Sequence, residues 1–158
     1  DQARFLLGGT WNGVEALGAW LGEPSDPPPH IGILGQLSNG VMVTLNASLA
    51  WAANIEPRPM VNTLEIAGTQ GVALCRSTPD FRRMTLQLYS ATLCEELTID
   101  STGHTSDIVL LLNDFADVVA KGPGASPTLA TGEDGYWAQF ATEQANQSAM
   151  RRRIPLQA

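Results

Sequence analysis

Three successive pairs of strand-like runs, each joined by a tight turn, constrain the fold of this chain more than any other feature. Val41, Val43, Leu45, Ala47, Leu49 and Trp51 alternate with Met42, Thr44, Asn46, Ser48 and Ala50. That is the period of a strand with one apolar and one mixed face. Ser38-Asn39-Gly40 just before it supplies the positive φ of a tight turn, and the apolar run 31–37 is its partner. A second pair covers 61–67, turns at Gly68-Thr69-Gln70-Gly71 and returns over 72–75. The third comprises 83–89, where Met84, Leu86 and Leu88 share a face, and 93–99, where Leu93, Leu97 and Ile99 do. Hairpins in series predict an antiparallel sheet and argue against a wound parallel one.

Two helices follow. Ile108, Leu111, Leu112, Phe115, Val118 and Val119 form a stripe at 3-4 spacing, with Asp107, Asp114 and Asp117 on the other side. Thr105 or Ser106 is placed to cap its start, and Lys121-Gly122-Pro123-Gly124 to end it. The stripe predicts a core with Phe115 at its centre. The second helix begins after Thr131 with Glu133 and Asp134 in its first turn, and buries Trp137, Phe140, Ala141, Ala145 and Ser148. The small residues of that face let it lie close to a sheet. Residues 12–20 fit either helical or strand spacing, and two internal glycines disfavour the helix. Pro27-Pro28-Pro29 and residues 50–60 are loops, too short to be interdomain linkers.

The expected architecture is α+β: a largely antiparallel open sheet of about six to seven strands with helices packed on one face. A chain of 158 residues, 44% hydrophobic and 16% charged, is long enough for one sizeable core, so a single domain over 1–158 is expected. A net charge of −7 argues against a nucleic-acid partner, because phosphate binding needs a basic patch. The one dense basic cluster, Arg151-Arg152-Arg153, ends a helical pattern, where cations meet the negative end of the helix dipole. No apolar stretch approaches the ~20 residues of a membrane span, and the first residues have no signal-peptide layout. Cys75 and Cys94 lie in strand-like runs without metal spacing and read as reduced core thiols. The expectation is a soluble, cytoplasmic protein that meets neither nucleic acid nor membrane.

Residues capable of chemistry are few. Lys121, the only lysine, is placed as a solvated residue at a helix end; His30 and His104 are placed in loops, without a carboxylate or cysteine at metal or triad spacing. Gly8-Gly9 with Gly13, and Gly122 with Gly124, do not open a strand-loop-helix phosphate cradle. Asn46-Ala47-Ser48 and Asn146-Gln147-Ser148 match the glycosylation pattern but fall mid-strand and mid-helix. Trp51, Asn54, Glu56 and Arg58 form a long polar loop with an aromatic, the composition of a rim that holds a sugar or polyol. A plain hairpin connection is the other reading of those four.

Four segments in order carry a family resemblance: 1–9, opening Asp1-Gln2-Ala3-Arg4-Phe5; 38–48; 64–71; and 131–149, opening Thr131-Gly132-Glu133-Asp134-Gly135-Tyr136-Trp137 and followed by a basic run and the strand-like Ile154-Pro155-Leu156. Together they resemble the second half of the Gfo/Idh/MocA oxidoreductases. The resemblance assigns 12–20 to a strand. It also implies NAD or NADP as the cofactor of a full-length relative, held by a nucleotide-binding half to which no segment here corresponds. In that family a Lys of the nucleotide half and a His of an Asp-x-Gly-x-His-x-x-Asp stretch move the proton. Asp1 falls on the final Asp of that stretch, as a possible remnant of the motif or as a frayed terminal acid. No catalytic residue, cofactor ligand or metal ligand is therefore expected within this chain.

The resemblance further implies a substrate-binding and oligomerisation domain for a sugar, polyol or related hydroxy compound, inactive alone. It implies a homo-oligomer joined through the open sheet face, on which Met42, Thr44, Asn46 and Ser48 lie. The alternative is a free-standing ligand-binding or interaction module that uses the same sheet without redox chemistry.

Overall fold

The computed structural model describes residues 2–20, 28–48, 62–78, 82–100 and 104–153. They form α1 (Gln2–Leu7), β1 (Trp11–Ala19), β2 (His30–Leu37), β3 (Met42–Ser48), β4 (Asn62–Gly68), β5 (Gly71–Ser77), β6 (Arg83–Ser90), β7 (Cys94–Asp100), α2 (His104–Lys121), a 3-10 turn (Pro123–Ala125) and α3 (Gly132–Arg151). The α+β class and the antiparallel pairing hold. The seven strands are laddered as two sheets, β1-β2-β3 and β4-β5-β6-β7. The chain divides into two compact units, 1–54 with 130–158, and 55–129.

In the first unit, hairpin register places Val14, Gly35 and Val43 in one row and Ala16, Ile33 and Leu45 in the next. Gly40 makes the turn between β2 and β3 at φ 88°, a conformation that disfavours any residue with a Cβ. Gly35 has a different role: a Cβ there would sit 2.6 Å from the Trp11 ring, so its absence lets Trp11 lie across the sheet.

Helix α3 covers the apolar face. A capping box starts it, with the Thr131 hydroxyl accepting from the Asp134 N–H and the Asp134 carboxylate accepting from the Thr131 N–H. Ala145 and Ala149 are buried with Val14, Ala16 and Trp20, and Ile31, Ile33, Trp11 and Ala141 pack around them. Ser148 is buried too; its Oγ accepts from the Ala16 N–H at 3.0 Å and donates to the Ala16 carbonyl at 3.4 Å. Two buried backbone groups of β1 thus find their partner on the helix. Beyond the helix, Arg152 pairs with Glu15 at 2.6 Å and the Arg153 guanidinium stacks 4.6 Å from the Trp20 ring. The run 151–153 is therefore tied to β1 and the residue after it.

The second unit is a four-stranded meander followed by α2. Leu64, Cys75, Leu86 and Leu97 form one row and Ile66, Ala73 and Leu88 another, with Met84 opposite Ile99 on the same face. The other face carries Thr63, Arg76, Thr85 and Thr98, with Gln87 bonded to Glu96 and Arg83 to Asp100.

The α2 stripe departs from expectation. Ile108, Leu111, Leu112, Phe115 and Val119 are 45–71% exposed, with Phe115 at 57%. The helix packs mainly against the 3-10 turn, so Phe115 is not a core residue. Helical periodicity identifies an apolar face but not its partner. The helix also begins at His104, ahead of the expected caps, and His30 opens β2 instead of lying in a loop. Cys75 is half-buried and Cys94 exposed, so neither is a core thiol.

Candidate functional site

Asp1 and the proposed ligand rim, Trp51, Asn54, Glu56 and Arg58, lie outside the described residues, as does the strand expected at 154–156. The described structure does show how the segment following Asp1 is held. The Arg4 side chain, 11% exposed, donates through Nη1 to Asp134 at 3.2 Å and through Nε to the Gly9 carbonyl at 3.2 Å. Its guanidinium lies 5.8 Å from the Trp137 ring. Helix α1 is therefore pinned to the first turns of α3. On the other side, the Asn39 amide donates to the Leu7 carbonyl at 2.8 Å and Ser38 Oγ accepts from the Thr10 N–H at 3.0 Å. The β2–β3 turn thus closes over the end of α1.

Asp134 holds two roles together, capping α3 and binding Arg4. Its pKa is lowered from the ordinary aspartate value, first by the Thr131 N–H, then by the Thr131 hydroxyl, with Arg4 adding to both. The Thr131-x-x-Asp134 spacing was visible in the sequence as an acidic first turn. Arg4 carried no such signal, since its partner is 130 residues away.

Met42, Thr44, Asn46 and Ser48 fall together on the face of β1–β3 opposite α3. Register sets Thr44 beside Leu34, Met42 beside Gln36 and Asn46 beside Gly32. Leu34 is 49% exposed and Met42 57%, and Leu17 of β1 is 62% exposed in the same surface. This face mixes exposed large apolar side chains with hydroxyl and amide groups. Such a surface suits a contact with another protein better than it suits catalysis.

No group of His, Cys, Asp or Glu among the described residues could hold a metal. Lys121 is engaged with Asp117 at 2.8 Å, one turn back on its own helix. A shallow depression of about 420 Å³ lies beside the β4–β5 turn, lined by Ile66, Val72, Ala73, Leu88, Tyr89 and Leu93 among others. Apart from the Tyr89 phenol it offers no side chain fit for acid-base work. No helix among the described residues is long and apolar enough to cross a membrane.

Neither a protein-family model nor a curated protein matches the sequence. Solved structures match nearly all of it. Levoglucosan dehydrogenase in complex with NADH and levoglucosan aligns with a TM-score of 0.71 at 20% identity, over 99% of this chain and 48% of that one. An oxidoreductase from Agrobacterium radiobacter in complex with NAD+, L-tartaric acid and magnesium aligns at 0.69 and 20%, over 96% and 44%. The WlbA dehydrogenase from Chromobacterium violaceum in complex with NADH and UDP-GlcNAcA aligns at 0.57 and 16%, over 100% and 46%. At such identities the likeness is one of fold, and this chain spans less than half the length of each neighbour.

Proposed function

We propose that this chain, which has the fold of the C-terminal domain of Gfo/Idh/MocA-type NAD(P)-dependent oxidoreductases, is the substrate-binding and oligomerisation half of such an enzyme, acting on a sugar, polyol or related hydroxy compound. The observation that carries this is the coverage: 96–100% of this chain aligns with 43–48% of neighbours that include NADH-bound dehydrogenases.

In this reading the division of labour follows from the chemistry. Hydride transfer needs a bound nicotinamide and a positioned proton donor. NAD or NADP supplies the hydride acceptor in the whole enzyme, and the proton-moving Lys and His belong outside this chain. This half contributes orientation. Trp51 offers an apolar face to a sugar ring, while Asn54, Glu56 and Arg58 supply donors and acceptors for its hydroxyls. The Arg4–Asp134 clamp steadies the segment that Asp1 begins. The β1–β3 face bearing Met42, Thr44, Asn46 and Ser48 joins subunits, and a cytoplasmic location accords with two unpaired cysteines.

Titration of the pure chain tests this. Sugars and polyols should change its tryptophan fluorescence saturably, and Arg58→Ala should weaken the effect at least tenfold. NADH and NADPH should show no micromolar binding and no turnover. Nicotinamide-dependent turnover by this chain alone would overturn the reading, as would indifference to every sugar and polyol. For the subunit contact, Thr44→Arg should weaken association, because an unpaired cation on the buried face is costly.

A further inference from the structure

Helix α1 has six residues and none of them is buried, so its attachment leans on polar tethers. Arg4 ties it to Asp134 and to the Gly9 carbonyl. Its C-terminal end is tied by Asn39, whose Nδ2 donates to the Leu7 carbonyl at 2.8 Å and to the Gly8 carbonyl at 3.5 Å. Asn39 Oδ1 in turn accepts from the Val41 N–H at 3.3 Å. Carbonyls at a helix end have no partner within the helix, and this one amide serves two of them.

Asn39 precedes Gly40 in an exposed turn, with Gly40 at φ 88°. An Asn-Gly pair has a chemistry of its own, because glycine has no side chain to hinder approach to its nitrogen. Once the Gly40 nitrogen gives its proton to solvent base, it can attack the side-chain carbonyl carbon of Asn39. The new C–N bond closes a five-membered imide, the bond from that carbon to Nδ2 breaks, and ammonia leaves with a proton from solvent. Water then opens the imide at either carbonyl, giving aspartate or isoaspartate; the net change is one water taken up and one ammonia released. In the docked chain the leaving nitrogen is held by Leu7 and Gly8, and the Gly40 N–H by the Leu37 carbonyl at 2.9 Å.

We propose that Asn39 is a deamidation site gated by α1, and that the reaction releases that helix in one direction only. While α1 is docked the amide is held, and when α1 frays the amide is free to close the imide. The product does not restore the contact, because a carboxylate only accepts hydrogen bonds and here faces two carbonyl oxygens. Isoaspartate also adds a methylene to the backbone of a turn that sets the β2–β3 register. A second Asn-Gly pair, Asn12-Gly13, is a built-in control. It lies in β1, at the irregularity between Trp11 and Gly13 and next to the buried Val14, so exposing it means opening a core strand and not a short helix. The proposal stands independently of the proposed function.

Incubation of the pure chain at neutral and mildly alkaline pH, followed by peptide mapping with tandem mass spectrometry, tests this. Asn39 should convert before Asn12, and faster at the higher pH. Arg4→Ala should speed conversion of Asn39 roughly tenfold, the weight of a lost charged hydrogen bond, and leave Asn12 unchanged. Asn39→Asp, which installs the product directly, should weaken hydrogen-exchange protection of α1 and spare that of α3. Conversion of both pairs at one rate in the native chain would overturn the proposal, as would an Asn39 rate that Arg4→Ala leaves unchanged. Should Arg4→Ala open the whole unit and speed both pairs alike, Asn39→Asp decides: undiminished protection of α1 in that variant would overturn the release.

Discussion

The strands β1–β3 with α3, and the strands β4–β7 with α2, are both built on apolar periodicity and end in opposite states. Every buried hydrophobic residue among those described, from Val14 to Ala149, belongs to the first set; the second has none. The difference lies in what the helices present. On α3 the inward face is Ala145, Ser148 and Ala149, small enough to approach β1 and equipped with a hydroxyl for its backbone. On α2 the face is Leu, Ile and Phe, and the helix packs mainly against the 3-10 turn. Periodicity fixes which face is apolar, whereas burial depends on a partner of fitting shape.

Truncating one aromatic in each region should separate them most sharply. Trp20, 7% exposed, anchors the first core, so Trp20→Ala should cost about 3–5 kcal/mol in denaturant melts. A loss under about 1 kcal/mol would mean that this core is not what holds β1. Ser148→Ala comes next, at about 1–3 kcal/mol, because it strands the buried amide and carbonyl of Ala16. Ser148→Thr is expected to be no substitute, since Ser148 is 2% exposed and the extra methyl has little room.

Removing the cap with Thr131→Ala should cost about 1 kcal/mol and loosen α1 through Asp134. Acid should do the same. Asp134 titrates below its ordinary value of 3.8 when folded, so its contribution is complete above that value and disappears as pH falls through the lower, folded one. Asp134→Asn should flatten that part of the acid limb in pH-dependent melts. The smallest effect is Phe115→Ala, under about 0.5 kcal/mol at concentrations where the chain is monomeric, because the ring is already 57% exposed. A larger loss under those conditions would put Phe115 in an intramolecular core after all.

The contrast also shows what the sequence could reveal. All three hairpins were legible, because alternation and glycine turns are local signals: Gly40 sits where the positive φ was expected. The face of α3 was legible in part: Ala145 and Ser148 are buried as expected, whereas Trp137, Phe140 and Ala141 are only half-buried. Two features were not. The split of seven strands into sheets of three and four depends on which strands exchange hydrogen bonds, and alternation is the same on either side of the break. The Arg4–Asp134–Trp137 cluster joins the two ends of the described chain through side chains that no short-range spacing connects. Met42, Thr44, Asn46 and Ser48 share one face of β1–β3, as alternation indicates, and register adds Leu17 and Leu34 from the neighbouring strands.

Hydrogen exchange followed by mass spectrometry, at low and at high micromolar protein, tests the difference between the two regions most directly. Protection of β1 and α3 should be the same at both concentrations, as expected of a core contained in one chain. Protection of β4–β7 and α2 should be weaker than that of β1 and α3 at both, since no described hydrophobic residue of those elements is buried. Equal, concentration-independent protection of α2 and α3 would contradict the account.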